Sequence, residues 1–190
     1  MKKALALTAA LAVGACATPK AVTGSYPIGE TYSITLGHTW ADISGQVLGR
    51  PKEVHLLTVD GPLLDRFYVT EGIAPGGFMV KPAKKELPTP TYRTGLSQSE
   101  LVEFVIDTLA ALDYLHPEAT NLRPSTFGTA QAVRFDLTAQ TKEGLNISGT
   151  AQIAESGGKA YVMLYLAPSE HYYTASLPEV ETAFKSATLK

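Results

Sequence analysis

Three alternating apolar segments joined by short turns constrain this chain more than any other feature. Residues 131–140 place Val133, Phe135, Leu137 and Ala139 on one side, and residues 145–154 do the same with Leu145, Ile147 and Ile153. Residues 159–167 are the most apolar of the three. A period of two marks a strand with a buried face. The connections, Lys142-Glu143-Gly144 and Glu155-Ser156-Gly157-Gly158, are too short for a crossover, so neighbouring segments must pair antiparallel. The expectation is a three-strand meander whose register is set by its turns.

Further strands are expected at 31–36, with Tyr32, Ile34 and Leu36 on one side, at 53–59, at 66–73 and, shorter, at 119–127. Asp60-Gly61-Pro62 is a strong turn signal after the second of these. Between 98 and 113 the period changes to that of a helix, through Leu101, Val102, Val105, Ile106, Leu109 and Leu112. Ser97 and Glu100 form a capping box in front of it. Ser176-Leu177-Pro178-Glu179 reads as a second box, opening a terminal helix with a stripe of Leu177, Val180, Phe184 and Ala187. Residues 74–92, with Gly76-Gly77 and prolines at 75, 82, 88 and 90, read as a long loop. The fold class is α+β, a largely antiparallel sheet with packed helices.

The N-terminus has a different character. Lys2-Lys3 precedes an apolar run from Ala4 to Val13, too short to span a bilayer, and then comes Val13-Gly14-Ala15-Cys16. This resembles the lipobox of bacterial lipoprotein precursors. The resemblance implies cleavage before Cys16, acylation of that cysteine and anchoring to a membrane. An ordinary signal peptide cut after an Ala-x-Ala at 10–12 or 15–17 is the alternative. Ala17 follows the cysteine where aspartate would favour inner-membrane retention, so the expected location is the outer membrane, facing the periplasm. The division expected is a leader at 1–15, a lipidated cysteine and flexible tether at 16–30, and one α+β domain at 31–190. Residues 17–30 are small, polar and broken by prolines, which motivates the tether.

The order of the remaining elements is also informative. A tyrosine-bearing strand and Trp40 come first, then a capped helix, Ser125-Thr126-Phe127-Gly128, a meander, and a helix ending Phe184-Lys185-Ser186. This order resembles the Mog1/PsbP-like α/β/α sandwich proteins over residues 31–190. The resemblance implies a non-catalytic binding or accessory module and carries over no functional residue.

Charge and motifs narrow the function classes. The chain has 16 basic and 18 acidic residues, and loss of Lys2 and Lys3 leaves 14 against 18, a net of −4. Such a balance lacks the clustered basic face that nucleic acid needs. No two of His38, His55, His116 and His171 have zinc-pair spacing, and Cys16 is the sole cysteine, so no metal or other cofactor is expected. A Gly-x-Ser-x-Gly elbow is absent, and Gly72-Ile73-Ala74-Pro75-Gly76-Gly77 lacks the Lys-Ser pair of a phosphate loop. Two segments are candidate contact surfaces for an envelope protein. One is His171-Tyr172-Tyr173 with its polar-tipped rings, and the other is Phe78-Met79 in the long loop. A pocket converging on His171 or His55 would instead favour a hydrolase, and a large apolar cavity a carrier.

Overall fold

The computed structural model describes residues 18–189, so the leader and Cys16 lie outside the described residues. The strands are β1 (Lys20–Ile28), β2 (Tyr32–Asp42), β3 (Val54–Thr58), β4 (Arg66–Thr70), β5 (Leu115–Phe127), β6 (Ala130–Gln140), β7 (Asn146–Ser156) and β8 (Lys159–Pro168). Helix α1 (Gln98–Ala111) precedes β5, and α2 (Tyr172–Ser186) follows β8. All eight strands form one antiparallel sheet in the order β1-β2-β3-β4-β8-β7-β6-β5. The meander is present as β6-β7-β8, with Val133 opposite Ile153 and Ile153 opposite Val162. Its β7 begins one residue late, leaving Leu145 outside the strand and exposed rather than on the buried side.

The sheet is covered on both faces. On one, α1 places Leu101, Val105 and Leu109 with Val133, Phe135, Ile153, Val162 and Leu164. On the other, α2 places Val180, Ala183 and Phe184 with Phe67, Met163 and Tyr165. Strand β8 therefore alternates between two cores, which explains why it is apolar throughout.

Two helices cannot cover eight strands. Strands about 4.8 Å apart make a sheet over ~30 Å wide, against ~10 Å for a helix. On the α1 face the uncovered part, at Val54, Leu56 and Tyr68, is filled by residues 74–92, whose Met79, Val80 and Tyr92 are buried. That segment is tied down by backbone bonds between Gly76 and Tyr92, between Tyr92 and Gly77, and from Ala83 N to Ala111 O, each 2.8 Å. Met79 is 1% exposed, so it belongs to the core and not to a contact surface.

On the α2 face the cover is the β1–β2 hairpin. Asp42 pairs with Leu57, yet Tyr32, ten residues earlier, donates its hydroxyl to Thr70 O at 2.9 Å. A straight strand of that length would span ~33 Å, so the ribbon must bend. It does so beside the register shift between Val22 and Gly24, and β2 then runs along α2. Thr35 N donates to Ser186 Oγ at 2.8 Å, and Gly37 N to the Glu179 carboxylate. The tether expected at 17–30 is thus corrected: Lys20–Ile28 is an edge strand with Val22, Tyr26 and Ile28 buried. The place between Val22 and Tyr26 in the period of two is Gly24, which has no side chain, and this gap hid the strand in the sequence.

Helix α2 also departs from expectation. It starts at Tyr172, with Ser176 buried inside it, and Glu179 binds β2 instead of capping. The box at Ser97 and Glu100 is present as expected. A partly buried ion pair joins α2 to β6: Arg134, its side chain 11% exposed, makes a two-pronged contact with the Glu181 carboxylate, which is 31% exposed. Its guanidinium carbon lies 4.6 Å over the Phe184 ring.

Two stability outcomes are expected in denaturant unfolding. Met79→Ala should cost about 2–4 kcal/mol, as for other buried methionines, whereas Leu48→Ala at a 98% exposed position should stay within about 0.5 kcal/mol. Glu181→Ala should cost about 1–2 kcal/mol by leaving the buried Arg134 without its partner, and the double replacement Arg134→Met with Glu181→Leu should recover most of that loss.

Candidate contact surface

Several connections meet at one end of the sheet. They are the β3–β4 turn, the α1–β5 connection, the β6–β7 turn and the β8–α2 turn, whereas the segment 47–50 leads into the first residue of β3, where Val54 N donates to Pro51 O at 3.1 Å. Leu115 pairs with Gln140, Gln140 with Asn146, and Ser169 N donates to Asn146 O at 2.9 Å, which places the last three connections side by side. A cleft of ≈ 450 Å³ there is lined by Leu63, Arg66, Leu112, Tyr114, Lys142 and Leu145, among others. Leu112 also borders a smaller, apolar cleft of ≈ 100 Å³ beside Val47, Leu48, Tyr68 and Met79.

The rims of these two clefts, which share Leu112, expose leucine. Leu48 is 98% exposed, Leu63 85% and Leu145 44%. A lone exposed leucine is ordinary, but several around shared clefts mark an interaction surface. Leu63 is held outward by a rigid turn. The buried Asp65 carboxylate accepts from Thr58 Oγ1 and Asp60 N, both at 2.7 Å, and from Val59 N at 2.8 Å. Burial nevertheless raises the Asp65 pKa, outweighing those bonds. The signal for this surface was present in the sequence, since Val47-Leu48-Gly49-Arg50 and Pro62-Leu63 put leucine where turn chemistry calls for polar residues.

The residues nominated from sequence take different places. His171 is exposed at this same end, with φ +70°, where the chain swings from β8 into α2. Its ring meets Tyr172 edge-on at 5.2 Å. Tyr172 and Tyr173 are half-buried. Tyr173 stacks on Tyr165 at 6.0 Å and donates to Gly149 O at 3.3 Å, and burial pushes its hydroxyl up to about 12. The pair packs the strand–helix corner, while His171 is the part presented to solvent. Phe78 is half-buried beside the core residue Met79, and Cys16 lies outside the described residues.

A polar network that sequence reasoning missed fastens the β1–β2 hairpin to the sheet. Tyr26 Oη donates to Asp42 at 2.7 Å and lies 3.1 Å from His55 Nδ1, while His55 Nε2 is 2.8 Å from Glu71. Burial, with the Asp42 hydrogen bond, pushes the Tyr26 hydroxyl well above the ordinary tyrosine range. Burial would also raise Asp42, but hydrogen bonds from Ser44 and Tyr26 outweigh it and hold that carboxyl below its usual value. Tyr26 is 6% exposed and both His55 nitrogens are engaged, so the group works as a fastening between elements. The four residues lie up to 45 positions apart, which no local pattern reveals.

Among the described residues no three His, Cys, Asp or Glu side chains gather as a metal site would require, and no helix is long and apolar enough to cross a membrane. The architecture is an antiparallel sheet between two helical layers, the α/β/α sandwich of PsbP-like proteins. The solution structure of cyanobacterial PsbP (CyanoP) from Synechocystis sp. PCC 6803 is similar over 97% of this chain and 99% of that one, with a TM-score of 0.55 and 13% identity. LpqN, involved in cell envelope biogenesis of Mycobacterium tuberculosis, aligns over 90% of each chain with a TM-score of 0.39 and 13% identity. Likeness at such identity with CyanoP shows a shared fold. No family model and no curated protein matches the chain.

The depressed Asp42 pKa fixes a sign. The ionised carboxyl contributes stability above the unfolded-state value near ~3.9, and that contribution is lost as pH falls through the lower folded value. Acid unfolding followed by circular dichroism should therefore be less steep in Asp42→Asn than in the wild type below about pH 4.

Proposed function

We propose that this chain is a bacterial envelope lipoprotein, acylated on Cys16 and held at the outer membrane facing the periplasm. Its α+β domain serves as a non-catalytic binding or accessory module for an envelope protein. The observation that carries the reading is the sequence Val13-Gly14-Ala15-Cys16 placed four residues before a folded sheet begins at Lys20. The PsbP-like fold supports it, as does an exposed leucine-bearing end in place of a deep reactive cleft. A hydrolase reading would need a base set in a pocket; the Tyr26–His55 pair is already committed, and His171 stands on the surface. A carrier would need several hundred Å³ of enclosed apolar cavity; the apolar cleft beside Leu48 is ≈ 100 Å³, and the larger clefts of ≈ 450 Å³ beside Leu63 and ≈ 340 Å³ beside Leu87 are open at the surface with charged side chains in their lining.

Cys16→Ser is expected to leave an uncleaved precursor or to release the protein from the membrane fraction. Intact-mass measurement of the wild type should show an acylated N-terminal cysteine, and an unmodified thiol on the mature protein would falsify the anchor. Cross-linking in native membranes should capture one reproducible envelope protein; none above background argues against an accessory module.

A further inference from the structure

We infer that the leucine-bearing end of the sheet docks on the bilayer surface, with Leu48 and Leu63 entering the interfacial region. The inference rests on the lipid anchor proposed above and adds an orientation to it. From Cys16 to Lys20 is four residues, which even fully extended span no more than ~14 Å. The chain between anchor and sheet is therefore a short leash, and the domain cannot stand clear of the membrane.

The point of attachment selects the face. Lys20 pairs with Asp42, and Leu48 follows Asp42 by six residues. Ala41, next to Asp42, pairs with Thr58, the last residue before the turn that presents Leu63. Lys20 thus stands beside the exit of β2 that leads to Leu48, and nearly level with the end of β3 that opens the turn of Leu63. These are the two most exposed leucines of the described chain, at 98% and 85%.

The chemistry around Leu48 matches a lipid headgroup layer. Lys52 follows it in sequence and Lys81 packs against Gly49, while the Arg50 guanidinium is held by the carbonyls of Ser44, Pro51 and Lys52. An apolar tip with a basic collar lets the leucine enter the acyl boundary while long cationic side chains reach the phosphates. A net negative domain still binds in this way, because the collar is local and screening limits more distant charges to within ~10 Å.

The test uses the full chain, matured through its own leader and reconstituted into phosphatidylethanolamine–phosphatidylglycerol vesicles. Once acylated, Cys16 has no thiol, so Leu48→Cys, Leu63→Cys and Thr129→Cys each carry a single site for a polarity-sensitive fluorophore. Thr129 lies in the β5–β6 turn at the opposite end of the sheet. On transfer from detergent to vesicles, labels at 48 and 63 should shift to the blue and lose access to aqueous iodide, with the label at 129 unchanged. Labels at 48 and 63 that stay aqueous on acylated protein overturn the docking and leave the anchor standing. Protection seen only in native membranes overturns it as well and assigns this end to a protein. An unmodified Cys16 in the intact mass overturns anchor and docking together.

Discussion

Strand β8 is buried on both faces, and the rest of the molecule is arranged around that fact. Val162, Leu164 and Leu166 point into the core under α1, while Tyr161, Met163 and Tyr165 point into the core under α2. A strand with no wet face must lie inside its sheet and be covered twice. It accordingly has β4 on one side and β7 on the other, and its two cores are the two halves of the hydrophobic interior. Because one strand supplies both cores, disturbing either layer is felt by the other through close packing.

The sheet is wider than its helices, so non-helical chain completes both layers. Residues 74–92 plug the α1 face with Met79, Val80 and Tyr92, and the bent β1–β2 hairpin lies beside α2 on the other. Each cover is fastened by specific polar contacts in addition to apolar burial. The loop uses backbone bonds to itself and to the end of α1, and the hairpin uses Tyr26, Tyr32 and the bonds of β2 to α2. At its far edge the sheet ends in β5, whose prolines 117 and 124 and two register shifts blunt it against pairing with another chain.

These covers dispose of most apolar surface but leave one end uncovered. There the turns present leucine to solvent around clefts bordered by Leu112. Stability does not call for these side chains, since exposed leucines add nothing to a core. The turn holding Leu63 is well bonded through Asp65, so the exposure is built into the structure and does not come from a loose loop. That combination of firm support and apolar tip separates this end from the half-buried Tyr172–Tyr173 corner beside it, where the Tyr173 ring is already occupied by Tyr165 and Gly149.

The sequence by itself determined the elements whose causes are local: the β6-β7-β8 meander from its alternation and turns, α1 from its period and its Ser97–Glu100 box, and the α+β class. Tertiary structure decided whatever depended on distant partners. Gly24 concealed β1 by leaving no side chain between Val22 and Tyr26, and β2 drew Glu179 away from a cap that its spacing from Ser176 suggested. Met79 reads as a loop residue until the width of the sheet shows what it must cover. The Tyr26–Asp42–His55–Glu71 fastening and the shared leucine end exist only once strands far apart in sequence lie side by side. Periodicity reports which face of an element is apolar; the facing partner is fixed by the packing of the whole chain.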